Sequence, residues 1–120
     1  MVPRGHRNWI EVSHIAQATV AKFTTSAIVD EEKILVIGRE LLNLVQQNGR
    51  RPLILNFAEV ERVSTEMLGN FVSLQRRTRA RGGNLVLCNL KPQLSEAFKM
   101  VNTDESLTIC DDEQKALMAV

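Results

Sequence analysis

Aromatic residues, cysteine and histidine are scarce in this chain, and each scarcity removes a class of function. There is no tyrosine, one tryptophan and four phenylalanines, and no aromatic is interleaved with the arginines to stack on bases. The two cysteines, Cys88 and Cys110, form no CxxC pair, and the two histidines, His6 and His14, have no cysteine or carboxylate at ligand spacing. No metal site is therefore expected, and both thiols are expected to behave as small buried hydrophobes. Apolar runs are only a few residues long, against the roughly 20 of a membrane helix, so no span is expected. With few cysteines and no signal-like opening, the expected location is cytoplasmic. With a net charge of +1, nothing in the overall balance argues for nucleic acid or an anionic membrane as a partner.

Nucleotide and hydrolase motifs are missing as well. Gly82-Gly83 precedes a strand-like run, the wrong order for a phosphate-binding loop, so no cofactor is expected. Ser64 has no Gly-x-Ser-x-Gly surroundings and no histidine downstream of it, so a nucleophile–base pair in hydrolase order is absent and an enzyme is not expected.

What is present is one domain's worth of alternating elements. Met1-Val2-Pro3-Arg4-Gly5-His6 has the look of a protease-cleavage tag, so residues 1–8 read as a tag remnant or disordered arm and 9–120 as the domain. Trp9 to Ile15 and Ala18 to Phe23 read as a hairpin of short strands, the second alternating polar Thr19 and Lys22 with apolar Val20 and Phe23. Asp30 offers an N-cap with Glu31 and Glu32 behind it, and Ile34, Ile37, Leu41, Leu44 and Val45 recur at helical spacing up to Asn48-Gly49. Pro52 to Phe57 is a continuous apolar run, as a strand covered on both faces requires.

Met67, Phe71, Leu74 and Thr78 then mark a second helix, and Leu85 to Cys88 a further buried strand. Pro92 suits a first helical position ahead of Leu94, Phe98 and Val101, while Met67 and Met100 read as core packing. Leu107 to Cys110 reads as a last strand, and Asp111 with Gln114 as a capping box opening a terminal helix. Strand, strand, helix and then three strand–helix repeats define an α/β fold. Its sheet is mixed and mainly parallel, opened by an antiparallel hairpin, with about four helices.

The junction of strand and second helix, Val60-Glu61-Arg62-Val63-Ser64-Thr65-Glu66-Met67-Leu68-Gly69, places two adjacent hydroxyls at a helix start. A helix start carries free N–H groups and a positive dipole end, so it accepts a capping oxygen or a phosphate. Serine and threonine cap many helices, and a cap alone accounts for one of these hydroxyls.

With its preceding strand, the stretch resembles the phosphoacceptor motif of STAS domains, the fold of bacterial anti-sigma-factor antagonists. In that family a Leu-Ile-Leu-Asp strand precedes Asp-Ser-Ser-Gly-Leu-Gly, and the first serine receives the phosphate. Matching Leu68-Gly69 to the family's Leu-Gly sets Thr65 on that serine and Ser64 on the aspartate before it. Here Ser64, Glu66, Met67 and Asn56 depart from the family pattern, Asn56 standing for the strand-end aspartate.

The resemblance spans roughly Trp9 to Val120 and implies a STAS-like fold without catalysis. It also implies a partner, an anti-sigma factor that is itself an ATP-using serine kinase. The phosphoacceptor would be Thr65, with Ser64 second. The partner surface would include Glu59, Glu61, Arg62, Val63, Ser64, Thr65, Glu66, Met67 and Gly69, with the loop Ala58 to Val63 exposed. Two other readings are an unphosphorylated STAS scaffold and a small-ligand or nucleotide sensor. Arg76, Arg77, Arg79 and Arg81, with Arg50-Arg51, read mainly as cations at helix C-termini on a solvated face.

Overall fold

Pro52 to Phe57 is the spine of the molecule. The computed structural model describes residues 9–102 and 107–120; residues 1–8, the expected arm, lie outside the described residues. Leu53–Asn56 (β4) pairs in parallel with Ala18–Phe23 (β2) on one side and with Leu85–Cys88 (β6) on the other. Ile10–Ile15 (β1) joins β2 antiparallel and Thr108–Cys110 (β7) joins β6 in parallel, giving the order β1-β2-β4-β6-β7. Ala27–Ile28 (β3) and Arg62–Val63 (β5) form a separate two-stranded parallel ladder. Four helices complete the described fold: Glu31–Asn48 (α1), Thr65–Ala80 (α2), Pro92–Val101 (α3) and Glu113–Ala119 (α4). The expected α/β class, with its opening hairpin and mainly parallel sheet, is the one observed.

Alternation along the central strands builds two cores. Leu53, Leu55, Leu85 and Leu87 face the larger one with α1, α2 and α3, while Ile54, Val86 and Cys88 face a smaller one closed by Ala116 of α4. Each such side chain, taken fully from water, stabilises the fold by about 1.5 to 3 kcal/mol. Phe23, Phe57, Phe71 and Phe98 meet in the larger core, joining β2, the end of β4, α2 and α3.

The helix signals act as expected at most ends. The Asp30 side chain accepts from Lys33 N, Pro92 takes the first turn of α3, and Gly49 follows α1 at φ 61°, a left-handed conformation that glycine adopts without steric cost.

Four details differ from the sequence expectation. Thr19 is buried rather than alternating outward, because β2 is interior to the sheet, and its hydroxyl is satisfied by Asn48 Oδ1 at 2.7 Å. Asp112, not Asp111, caps α4 by accepting from Lys115 N at 2.8 Å; Asp111 instead pairs with Lys115 Nζ, which lowers its carboxyl below the usual range. Met100 is on the surface rather than in the core, since α3 turns Leu94 and Phe98 inward. Cys88 is buried as expected, its thiol pushed up to about 12 by burial and then by the negative charge of Glu113, but Cys110 on the outer strand β7 is only half-buried.

Candidate functional site

The chain leaves β4 at its carboxyl end, and two polar devices fix the direction it takes. Asn56, replacing a carboxylate in the family pattern, accepts from Ala58 N at 2.9 Å and from Asn89 Nδ2 at 3.1 Å, and donates to Glu113 Oε2 at 2.8 Å. A carboxamide supplies both the acceptor and the donor that this junction uses, whereas an ionised carboxylate would only accept and would face Glu113 with like charge. Lys91 Nζ donates to Ala58 O, and Lys22 Nζ lies 3.4 Å from Glu59 Oε2 in a surface pair. The loop is thereby tied to β2, β6 and the entrance of α3.

Its second half is held by the small parallel ladder. Glu61 N and Arg62 N donate to Ser26 O at 2.7 and 3.2 Å, and Ser64 N donates to Ile28 O at 3.0 Å. Val60 folds under these bonds, its N–H turned back on Phe57 O at 2.9 Å, and is fully buried. The loop Ala58 to Val63 is thus exposed at Ala58, Glu59, Glu61 and Arg62 but not throughout: Val60 lies in the core and Val63 is half-buried. Two-residue strands carry too little periodicity to be seen in a sequence, which is why this ladder was missed.

The two hydroxyls then part ways. Ser64 is the N-cap of α2, extended at φ −70° and ψ 160°; its Oγ accepts from Met67 N at 3.1 Å and its carbonyl from Leu68 N at 3.0 Å. Thr65 is the first helical residue, exposed, and among the described residues its hydroxyl has no hydrogen-bond partner. With Met67 N capped, the N–H groups of Thr65 and Glu66 remain the open donors of the helix end, the position where an anion is stabilised. Gly69, one turn on, leaves backbone bare beside Thr65: a Cβ built there meets nothing within 4 Å, so the fold itself does not demand glycine.

Of the residues expected at the partner surface, Glu59, Glu61, Arg62, Thr65, Glu66 and Gly69 are exposed, and Ser64 and Val63 are half-buried. Met67, read from its spacing as core packing and placed by the resemblance at the partner surface, keeps the first role and not the second. It is fully buried, because the turn of the helix that points Thr65 and Glu66 outward points the third residue into the core. Asn89 and Lys91 belong to the site and were not anticipated; Asn89 holds a left-handed backbone at φ 59°, a conformation asparagine tolerates and a weak sequence signal. His14 stands at the hairpin end of the sheet, near Thr19 and Arg51 and opposite to Thr65, so it does not serve the hydroxyls as a base.

Separate roles for the hydroxyls make distinct stability effects. Ser64→Ala is expected to lower unfolding stability by about 1 kcal/mol through loss of the cap, while Thr65→Ala stays within about 0.5 kcal/mol as a surface change. Urea denaturation of both variants measures this. Equal losses would mean that Thr65 is structural too.

A mixed, mainly parallel sheet opened by an antiparallel hairpin, with four helices among the described residues, defines an α/β domain. The STAS domain model matches residues 13–116, and the chain belongs to the STAS domain family. An anti-sigma-factor antagonist (STAS) domain protein from Planctomyces limnophilus is 25% identical, with 92% of this chain and 95% of that chain covered at a TM-score of 0.80. The Bacillus cell fate determinant SpoIIAA in its phosphorylated form shares the fold at 15% identity, covering 92% of this chain and 97% of that one, TM-score 0.68. The murine Slc26a9 anion transporter carries the same fold over 18% of its length, matching 88% of this chain at 13% identity and a TM-score of 0.71. No described helix of the present chain is long and apolar enough to cross a membrane.

Proposed function

We propose that this STAS domain is a bacterial anti-sigma-factor antagonist controlled by phosphorylation of Thr65. Unphosphorylated, it binds an anti-sigma factor that is also an ATP-using serine kinase, and so releases a sigma factor in the cytoplasm; phosphorylated, it lets go. It is the substrate and ligand of that kinase and not a catalyst.

The observation that carries this reading is the division of labour at the start of α2. Ser64 holds the helix, and Thr65 offers an unengaged hydroxyl beside open N–H donors. A phosphate there adds about −1.5 to −2 charges next to Glu66 while the helix dipole keeps the fold tolerant of it. A kinase cleft can therefore reach the oxygen without unwinding the chain.

The test is transfer from ATP by the cognate anti-sigma kinase. One phosphate is expected, located on Thr65 by fragmentation of the modified peptide and absent from Thr65→Ala. Phosphate on Ser64 alone would overturn the assignment of the acceptor. A second reading, a STAS scaffold that is never phosphorylated, is favoured by one feature, the closed Asn56–Asn89–Glu113 network where the family pattern has an aspartate. An unmodified intact mass for protein taken from cells in every growth phase would favour the scaffold.

A further inference from the structure

A second surface opens between α1 and α2. It is a cleft of about 580 Å³, running from Glu31 and Glu66 at the helix starts to Arg39 and Arg77 further along. Its floor is apolar, with Ile34 and Leu74 packed into the core, and its wall includes Leu35, a large side chain 55% exposed. The backbone at Gly38 faces open space in the middle, since a Cβ there would meet nothing within 4 Å. The cleft is partly open to solvent, unlike a small-molecule pocket that encloses most of its ligand.

Its charges are arranged by end. Among the described residues none of Glu31, Glu66, Arg39 and Arg77 is in an ion pair. Eight residues separate Glu31 from Arg39 and eleven separate Glu66 from Arg77, so the acidic and basic ends lie about 12 to 16 Å apart at 1.5 Å per residue. That is the length of two to three helical turns. Both helices follow parallel strands of one sheet and run in the same direction, with their positive dipole ends at the acidic end of the trough.

We infer that the α1–α2 trough docks an amphipathic helix of a partner protein, laid antiparallel to α1 and α2, with acidic residues in its first turn and basic residues in its last. Acids at the start and bases at the end are what a helix's own dipole favours. In the antiparallel direction alone, those acids meet Arg39 and Arg77 and those bases meet Glu31 and Glu66. Apolar residues at i, i+3, i+4 and i+7 would fill the floor over Ile34 and Leu74 and cover Leu35. The inference goes beyond the Thr65 switch and does not rest on it.

The test uses two hydrocarbon-stapled 14-residue helical peptides with identical leucines and methionines. One has glutamates in the first turn and lysines in the last; in the other the charges are exchanged. The first is expected to bind at least tenfold tighter, with amide shift changes confined to residues 31–42 and 66–77. Leu35→Glu should weaken it at least tenfold without changing the thermal midpoint, Leu35 being exposed, and Arg77→Glu should abolish the preference between peptides. Affinities within twofold of each other, shift changes elsewhere, or no binding at millimolar peptide would overturn the inference. Saturation of the trough by decanoate with neither peptide binding would overturn it too, assigning the cleft to a small amphiphile.

Discussion

Phe57→Ala is expected to lower the free energy of unfolding by about 3 to 5 kcal/mol, a large part of the roughly 5 to 15 kcal/mol that holds a domain folded. The ring is fully buried, with centroids 4.8 Å from Phe23, 5.3 Å from Phe71 and 5.6 Å from Phe98. Its removal leaves a cavity between three elements that cannot collapse independently, and it also forfeits edge-to-face contacts worth about 0.5 to 1.5 kcal/mol each. The backbone of the same residue anchors the site: Phe57 N donates to Cys88 O at 3.0 Å and its carbonyl accepts from Val60 N at 2.9 Å. Urea denaturation read by far-ultraviolet circular dichroism measures the loss, with the exposed Leu35→Ala as a control expected to stay within about 0.5 kcal/mol. A loss below 1 kcal/mol would contradict the central place given to the phenylalanine cluster.

Thr65→Glu is expected to leave the fold intact and to weaken the complex with the proposed anti-sigma partner at least tenfold, about 1.4 kcal/mol. An acid in the first turn of a helix is favoured by the dipole, so stability does not suffer. The partner meets a different surface. Glu66 adjoins the position, and of the cations around the loop Lys22 is paired with Glu59 and Lys91 with Ala58 O, which leaves Arg62 as the exposed loop cation in no ion pair among the described residues. The new charge is desolvated when a partner closes over it, and a charge buried at an interface without a partner cation costs several kcal/mol. Titration calorimetry with wild type, Thr65→Glu and Thr65→Ala separates the effects. Alanine should bind close to wild type and glutamate should not; equal affinity of all three would remove Thr65 from the interface.

Local chemistry made much of this fold legible. The apolar run of β4, the cap at Asp30, the glycine after α1, proline at the start of α3 and the alternation of strands with helices each depend on a few consecutive residues. Those signals placed the sheet, the helices and the pair of hydroxyls at a helix start. Where two local signals competed, sequence misjudged: Asp111 and Asp112 both suit a cap, and only the position of β7 selects the second.

Burial at the site was decided elsewhere. Each step along a helix turns the side chain by about 100°, so whether Ser64 or Thr65 faces solvent depends on where the helix begins, and that is set by bonds from Ser26 and Ile28, more than thirty residues earlier in the chain. The same ladder drew Val60 inward, and the rotation it imposes put Met67 in the core and Thr65 outside. The trough between α1 and α2 exists only because two helices distant in sequence lie side by side on one face of the sheet. Caps and periodicity are properties of neighbouring residues and can be read along the chain. Which atoms meet water is a property of long-range pairing, and it exists only once the sheet has formed.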